Sequence, residues 1–224
     1  MNAKSYIITQ TDKYMYSIKI TGNNNHNNAI MLYTLLKIVI QNSFYDETTS
    51  VLFFNAENVQ NLTTHLQTYN NKLPHNKCII LTDHLSKQMK YLKHMGYGHY
   101  GFDLDDIIVI DDNTYIIINT TYLLPLINNN FIFYGPFEMP FFSSPELYDI
   151  QTLPSEINYN TCYYSLGALL LHCLLRTSVM LNKNEFIGDI ELDKILYPLY
   201  NTKIYWFLKR CCKTISNKRI LLLI

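Results

Sequence analysis

Residues 163–175 read YYSLGALLLHCLL. The run is apolar on every side and is interrupted only by Ser165, Gly167 and His172. An α-helix without a polar face leaves no side for water, so this segment is read as a buried helix at the centre of a globular domain. It is too short for a bilayer, which needs roughly 20 apolar residues. A glycine in mid-helix costs about 1 kcal/mol against alanine. Gly167 therefore predicts that another element presses close against the helix at that point.

Working outward from the helix, Ser143-Ser144-Pro145-Glu146-Leu147 reads as a turn into a short helix, with proline near the first helical position. Residues 120–142 carry Pro125, Gly135, Pro136 and Pro140 and read as irregular. Before them, 98–118 is GHYGFDLDDIIVIDDNTYIII. Two short apolar strands, 107–110 and 115–118, flank the hairpin turn signal Asp111-Asp112-Asn113-Thr114. In 73–95, Cys78, Leu81, Leu85, Met89 and Leu92 recur at spacings of three and four, an amphipathic helix ended by Gly96. On the far side, 190–197 and 203–214 read as helices, followed by Arg219 and the apolar tail 220–224.

The N-terminal third is different. Residues 5–10 and 13–21 are rich in Ile and Tyr and predict two strands turning at Thr11-Asp12, with Tyr14, Tyr16, Ile18 and Ile20 on one face and Lys19 on the other. Residues 22–28, GNNNHNN, predict a loop, in which His26 has no second metal ligand nearby and reads as exposed. Residues 29–41 predict a helix with no acidic residue, 42–50 a turn, 51–54 a buried strand, and 58–69 a polar helix. No internal repeat or interdomain linker stands out.

Composition narrows the function. Lys plus Arg and Asp plus Glu are both 18, so the chain offers no electrostatic case for nucleic acid or an anionic membrane. Charged residues make up only 16% of the chain, below the usual quarter, which predicts poor solubility alone and a standing protein partner. Frequent Asn, Ile, Lys and Tyr suggest an A/T-rich genome, such as that of a large DNA virus. Cys78, Cys162, Cys173, Cys211 and Cys212 lack CxxC spacing, and 1–5 has no apolar signal-peptide core. The expected setting is therefore reducing and cytoplasmic. The sequons at Asn61 and Asn119 are read as chance matches. His84 and His94 are ten apart, which is not a helical metal pair. Cys211-Cys212 reads as core packing.

Four places in this order resemble a protein kinase, mainly its C-terminal lobe. His99-Tyr100-Gly101-Phe102-Asp103-Leu104-Asp105-Asp106 sits on the catalytic loop H-R-D-L-x-x-x-N. Ser144-Pro145-Glu146-Leu147 is similar to the A-P-E segment, and Tyr164-Ser165-Leu166-Gly167 to the W-S-L-G start of the family's buried helix. Leu208-Lys209-Arg210-Cys211 through Arg219 resembles the closing helix and loop, whose arginine pairs with the A-P-E glutamate. Tyr16 to Lys19, YSIK, is similar to the V-A-I-K strand.

The departures from that pattern carry the functional reading. Phosphoryl transfer needs a base, two Mg²⁺ sites, a phosphate lysine and a glutamate to hold it. In the resemblance the catalytic aspartate falls on Gly101, its preceding arginine on Tyr100, the metal-binding asparagine on Asp106 and the D-F-G aspartate on Asn119. The aspartate opening the buried helix is Cys162. No G-x-G-x-x-G is present, and 29–41 offers Lys19 no glutamate.

The resemblance implies an α+β, protein-kinase-like fold with a reduced β-rich N-lobe over 1–57 and a mainly helical C-lobe over 58–224. It implies a catalytically inactive scaffold, a pseudokinase binding another protein, with no cofactor. Lys19 is the one candidate contact to ATP, Asp106 the one candidate cation ligand, and Glu146, Arg219 and Gly167 are the structural residues. Two alternatives stand beside this. One is a diverged active Ser/Thr kinase using Asp103 or Asp106; the other is a C-lobe-like interaction module without nucleotide binding. Asp103, Asp105 and Asp106 are expected to form a solvated acidic loop.

Overall fold

Helix α5 (Thr161–Leu175), which contains the apolar run 163–175, buries twelve of its fifteen residues. The computed structural model describes residues 5–21, 26–182 and 185–223. Gly167 is where the C-terminal helix α7 (Lys203–Cys211) reaches α5. A Cβ built on it would lie 2.5 Å from Cys212 Sγ and 3.1 Å from Cys211 Cβ. The glycine's cost in helix propensity is thus exchanged for helix–helix contact. Gly167→Ala is expected to destabilise by roughly 1–3 kcal/mol through overpacking. Cys212→Ala in the same chain should recover part of that loss, as read by a double-mutant cycle in urea.

Around α5 stand α3 (His75–His94), α4 (Pro145–Tyr148) and α6 (Asp189–Leu196). The expected stripe Cys78, Leu81, Leu85, Met89 and Leu92 is the buried side of α3, and Gly96 follows the helix at φ +79°. A four-stranded antiparallel sheet forms the N-terminal layer in the order β1–β2–β4–β3. Its strands are β1 (Tyr6–Asp12), β2 (Met15–Ile20), β3 (Phe44–Asp46) and β4 (Val51–Asn55). One face, with Tyr16, Ile18, Leu52 and Phe54, packs on Leu32, Leu35, Leu36 and Ile40 in and just beyond α1 (His26–Val39).

The two halves meet at a hairpin. β5 (Val59–Asn61), β7 (Ile107–Ile110) and β8 (Thr114–Ile117) form a three-stranded sheet in the order β5–β7–β8. Successive strand side chains point to opposite faces. Ile107, Val109, Tyr115 and Ile117 enter the large helical core, while Ile108, Ile110, Ile116 and Ile118 enter the core under the N-terminal sheet. This explains why the hairpin strands have almost no polar positions: each face is the wall of a different core. The N-terminal core therefore borrows residues from beyond position 58.

Several sequence expectations are corrected. Residues 42–50, read as a turn, hold β3. Residues 58–69, read as one helix, hold β5 and then α2 (Leu62–Thr68), capped by Asn61 accepting from Thr64 N at 2.8 Å. The segment 120–142, read as irregular, holds β9 (Leu123–Pro125) and β10 (Asn130–Phe133). β9 pairs with β6 (Tyr97–His99), and β10 with β11 (Ser155–Asn158). These strands are too short for a period-two signal. A last short pair joins β12 (Met180–Asn182) and β13 (Glu185–Phe186). α1 starts at His26, inside the stretch read as a loop; 22–25 and the His26 side chain, read as exposed, lie outside the described residues. Among the described residues no helix is long and apolar enough to cross a membrane, and no group of three metal-ligating side chains occurs.

Candidate functional site

The loop 99–106 lies between the two cores, and the folded chain fills it from several directions. His99 is buried, stacks on Phe102 at 4.8 Å and meets the Asn119 carbonyl through Nε2 at 3.3 Å. Burial pushes its imidazole down to about 4, against the weaker opposing effect of backbone hydrogen bonds. The ring is neutral at physiological pH and holds the loop as a packed aromatic. Tyr100, where the kinase resemblance would put an arginine, is buried and donates from its hydroxyl to Glu138 O at 3.0 Å. Tyr122, Phe133 and Phe137 stand edge-on around it at 5.4, 5.3 and 6.0 Å. A charged guanidinium could not occupy that setting without a partner.

Gly101 has no room for any side chain. A Cβ there would lie 2.2 Å from Pro140 Cγ and 3.1 Å from Phe142 O. The segment carrying Pro140 is fastened beside it: Phe102 N donates to Phe142 O at 3.2 Å and Phe142 N to Phe102 O at 2.9 Å. The space a catalytic carboxylate would need is therefore taken up by a proline ring.

None of the three loop aspartates is exposed, which corrects the expectation of a solvated acidic loop. Asp103 accepts from Phe141 N at 2.6 Å and from the Tyr122 hydroxyl at 2.7 Å, one on each oxygen. Asp105 accepts from the Thr63 hydroxyl at 2.7 Å. Asp106 accepts from Asp103 N at 2.6 Å and from Asn119 Nδ2 at 2.5 Å. Asn119 Oδ1 in turn accepts from the Ser5 hydroxyl at 2.5 Å and from Thr121 N at 2.8 Å. A cation at Asp106 and Asn119 would have to break these bonds, so the pair does not fit a Mg²⁺ site.

Burial drives the Asp106 carboxyl up to about 7, outweighing its hydrogen bonds from Asp103 and Asn119, which act the other way. Unfolded, the same group titrates near 3.8. Between those values the folded chain binds more protons than the unfolded chain. The stability this group contributes is full below about 3.8 and is lost as pH rises to about 7. Asp106→Asn should therefore flatten the fall in urea midpoint across that window. An unchanged pH slope would contradict this assignment.

The start of β1 is tied to this loop. Besides the Ser5 contact, the Tyr6 hydroxyl donates to Asp105 O at 2.6 Å, and Thr120 N donates to Ser5 Oγ at 3.2 Å. Tyr6 is buried and lines the shallow cleft of about 640 Å³ between β1–β2 and β5–β7, together with Ile8, Tyr16, Val59 and Ile108. Lys19 does not line this cleft. It pairs with Ile7 and Val51 on the exposed outer face of the sheet, while Ile18 and Ile20 take the inner face. Strand alternation sets Lys19 opposite Ile18, and the packing of the Ile18 face removes Lys19 as a contact for phosphate in the cleft.

Glu146 and Arg219 meet, as the kinase resemblance implies. Arg219 Nη2 donates to Glu146 Oε1 at 2.6 Å and Nη1 to Oε2 at 3.0 Å, with the arginine side chain fully buried. Sequence reasoning missed Ser5, Tyr6, Tyr122 and Pro140 as parts of this site. Ser5 and Asn119 are 114 residues apart, and no local pattern marks such a pairing. No protein-family model matches the chain, and no curated protein matches it.

Proposed function

We propose that this chain is a kinase-like scaffold that does not transfer phosphate and acts by binding another protein. The observation that carries the reading is the filled loop 99–106: Pro140 occupies the space beside Gly101, and Ser5 and Tyr6 are hydrogen-bonded to Asn119 and to the loop backbone. Phosphoryl transfer works by positioning and charge, and each charge that could serve is already satisfied within the protein or faces outward. Further support comes from the sheet, helix and loop order, the buried Glu146–Arg219 pair, and the division into a small β-rich core and a larger helical core. The reading as a diverged Ser/Thr kinase requires Asp103 to release both Phe141 N and Tyr122, or Asp106 to leave its burial, and nothing in the site favours that. The reading as a C-lobe-like interaction module without nucleotide binding differs in taking only the C-terminal part as kinase-like. An A/T-rich viral source and a cytoplasmic setting belong to this proposal.

The test is ATP binding and transfer measured on the full chain. Calorimetry with ATP and Mg²⁺ is expected to show no micromolar binding, and labelled ATP no transfer to the chain or to a generic acceptor protein. Transfer that vanishes in an Asp103→Asn, Asp106→Asn double variant would restore the enzyme reading.

A further inference from the structure

We infer that the exposed side of α7 is a docking site for an acidic peptide segment of a partner protein, in which carboxylates flank an apolar side chain. No residue of this surface belongs to the cleft, so the inference stands apart from the proposed lack of catalysis. Four cationic side chains lie on α7 and the residue pair after it, and they divide into two sets. Lys209 and Lys213 face α6 and are neutralised there, by Asp193 at 2.9 Å and Asp189 at 3.2 Å. Lys203 and Arg210 form no ion pair among the described residues. Both line one open cleft of about 540 Å³ with Trp206 and Asn201.

Positions 203, 206 and 210 follow the three-and-four spacing that puts side chains on one helix face. The two cations stand seven residues apart, about 10 Å along the axis, with the indole between them. Arg210 is held in place by a 3.3 Å hydrogen bond from Nη1 to Leu222 O, which leaves its other donors for a ligand. Trp206 is 41% exposed and is braced edge-on against Tyr205 at 4.9 Å, a rigid apolar surface with little rotamer entropy left to lose. The chain as a whole is neutral, so two uncompensated cations around an exposed indole are a local feature. Charge complementarity asks for carboxylates at the two ends and an apolar group over the ring.

Trp206 is the only tryptophan, so its emission reports directly on this surface. The probe is a capped Glu-Glu-Leu-Leu-Glu-Glu peptide titrated into the full chain, with calorimetry in parallel. The expected result is saturable binding that weakens as salt is raised and is at least ~10-fold weaker for the Gln-for-Glu peptide. Lys203→Gln with Arg210→Gln should weaken binding by a similar factor while far-UV circular dichroism stays unchanged. Equal binding of the two peptides, no heat and no emission change, or an unaffected double variant would overturn the proposal. Tighter binding of a short oligothymidylate than of the acidic peptide would also overturn it, in favour of single-stranded nucleic acid.

Discussion

Replacing Arg219 by alanine is expected to cost roughly 3–5 kcal/mol, enough to unfold a domain of ordinary stability at physiological temperature. The guanidinium is fully buried and uses four hydrogen bonds. Two go to the Glu146 carboxylate; Nε donates to Lys213 O at 2.7 Å and Nη2 to Thr214 O at 3.0 Å. The Tyr164 ring of α5 lies 4.8 Å from its Cζ. Alanine strands a half-buried carboxylate and two carbonyls at once. Lysine keeps the charge but cannot reproduce a planar fork, so Arg219→Lys should also destabilise, by about 1.5–3 kcal/mol. Urea unfolding of both variants checks the order, and a loss under 1 kcal/mol for alanine would reduce the pair to an ordinary surface bridge.

The pH response of the pair runs opposite to that of Asp106. Burial alone raises the Glu146 carboxyl, but the Arg219 hydrogen bonds and charge outweigh it, and the net direction is down. Its stabilisation is therefore present above the usual carboxylate range and is lost as pH falls through the depressed value. Glu146→Gln should make the chain less sensitive to acid, whereas Asp106→Asn removes sensitivity to rising pH. The two variants together separate contributions that a single acid titration would blend.

Placing an acid at Gly101 is expected to break the fold without producing phosphate transfer. Gly101→Asp forces a Cβ to within 2.2 Å of Pro140 Cγ and buries a carboxylate close to Asp103 and Asp106. Overpacking and an unpaired buried charge together should cost at least ~3 kcal/mol. Adding Pro140→Gly removes the clash but leaves the charge, so it should recover part of the stability and no phosphate transfer. If Gly101→Asp alone is as stable as the wild type, the segment around Pro140 can move aside, and the filled space beside Gly101 is not a fixed property of the chain.

Much of this architecture was legible in the sequence because it is local. A run without a polar face had to be the buried post α5, and mid-helix Gly167 had to mark a close approach, which α7 supplies through Cys211 and Cys212. Spacings of three and four wrote the buried side of α3, and Asp111-Asp112-Asn113 marked the β7–β8 turn. The pairing of Glu146 with Arg219 was expected only from the resemblance to the kinase pattern, not from any local spacing. Tertiary structure alone decided the rest, since it depends on residues far apart in the chain. Whether Asp103, Asp105 and Asp106 face water or protein depends on donors from Phe141, Tyr122, Thr63 and Asn119, which no spacing within the loop encodes. Strand alternation put Lys19 opposite Ile18, but only the packing of α1 under the sheet made the Lys19 face the outer one. The packing of Ser5, Tyr6 and Pro140 against the loop 99–106 is likewise a meeting of segments with no shared local signature, made favourable by hydrogen bonds and ring packing that exist only once both cores are formed.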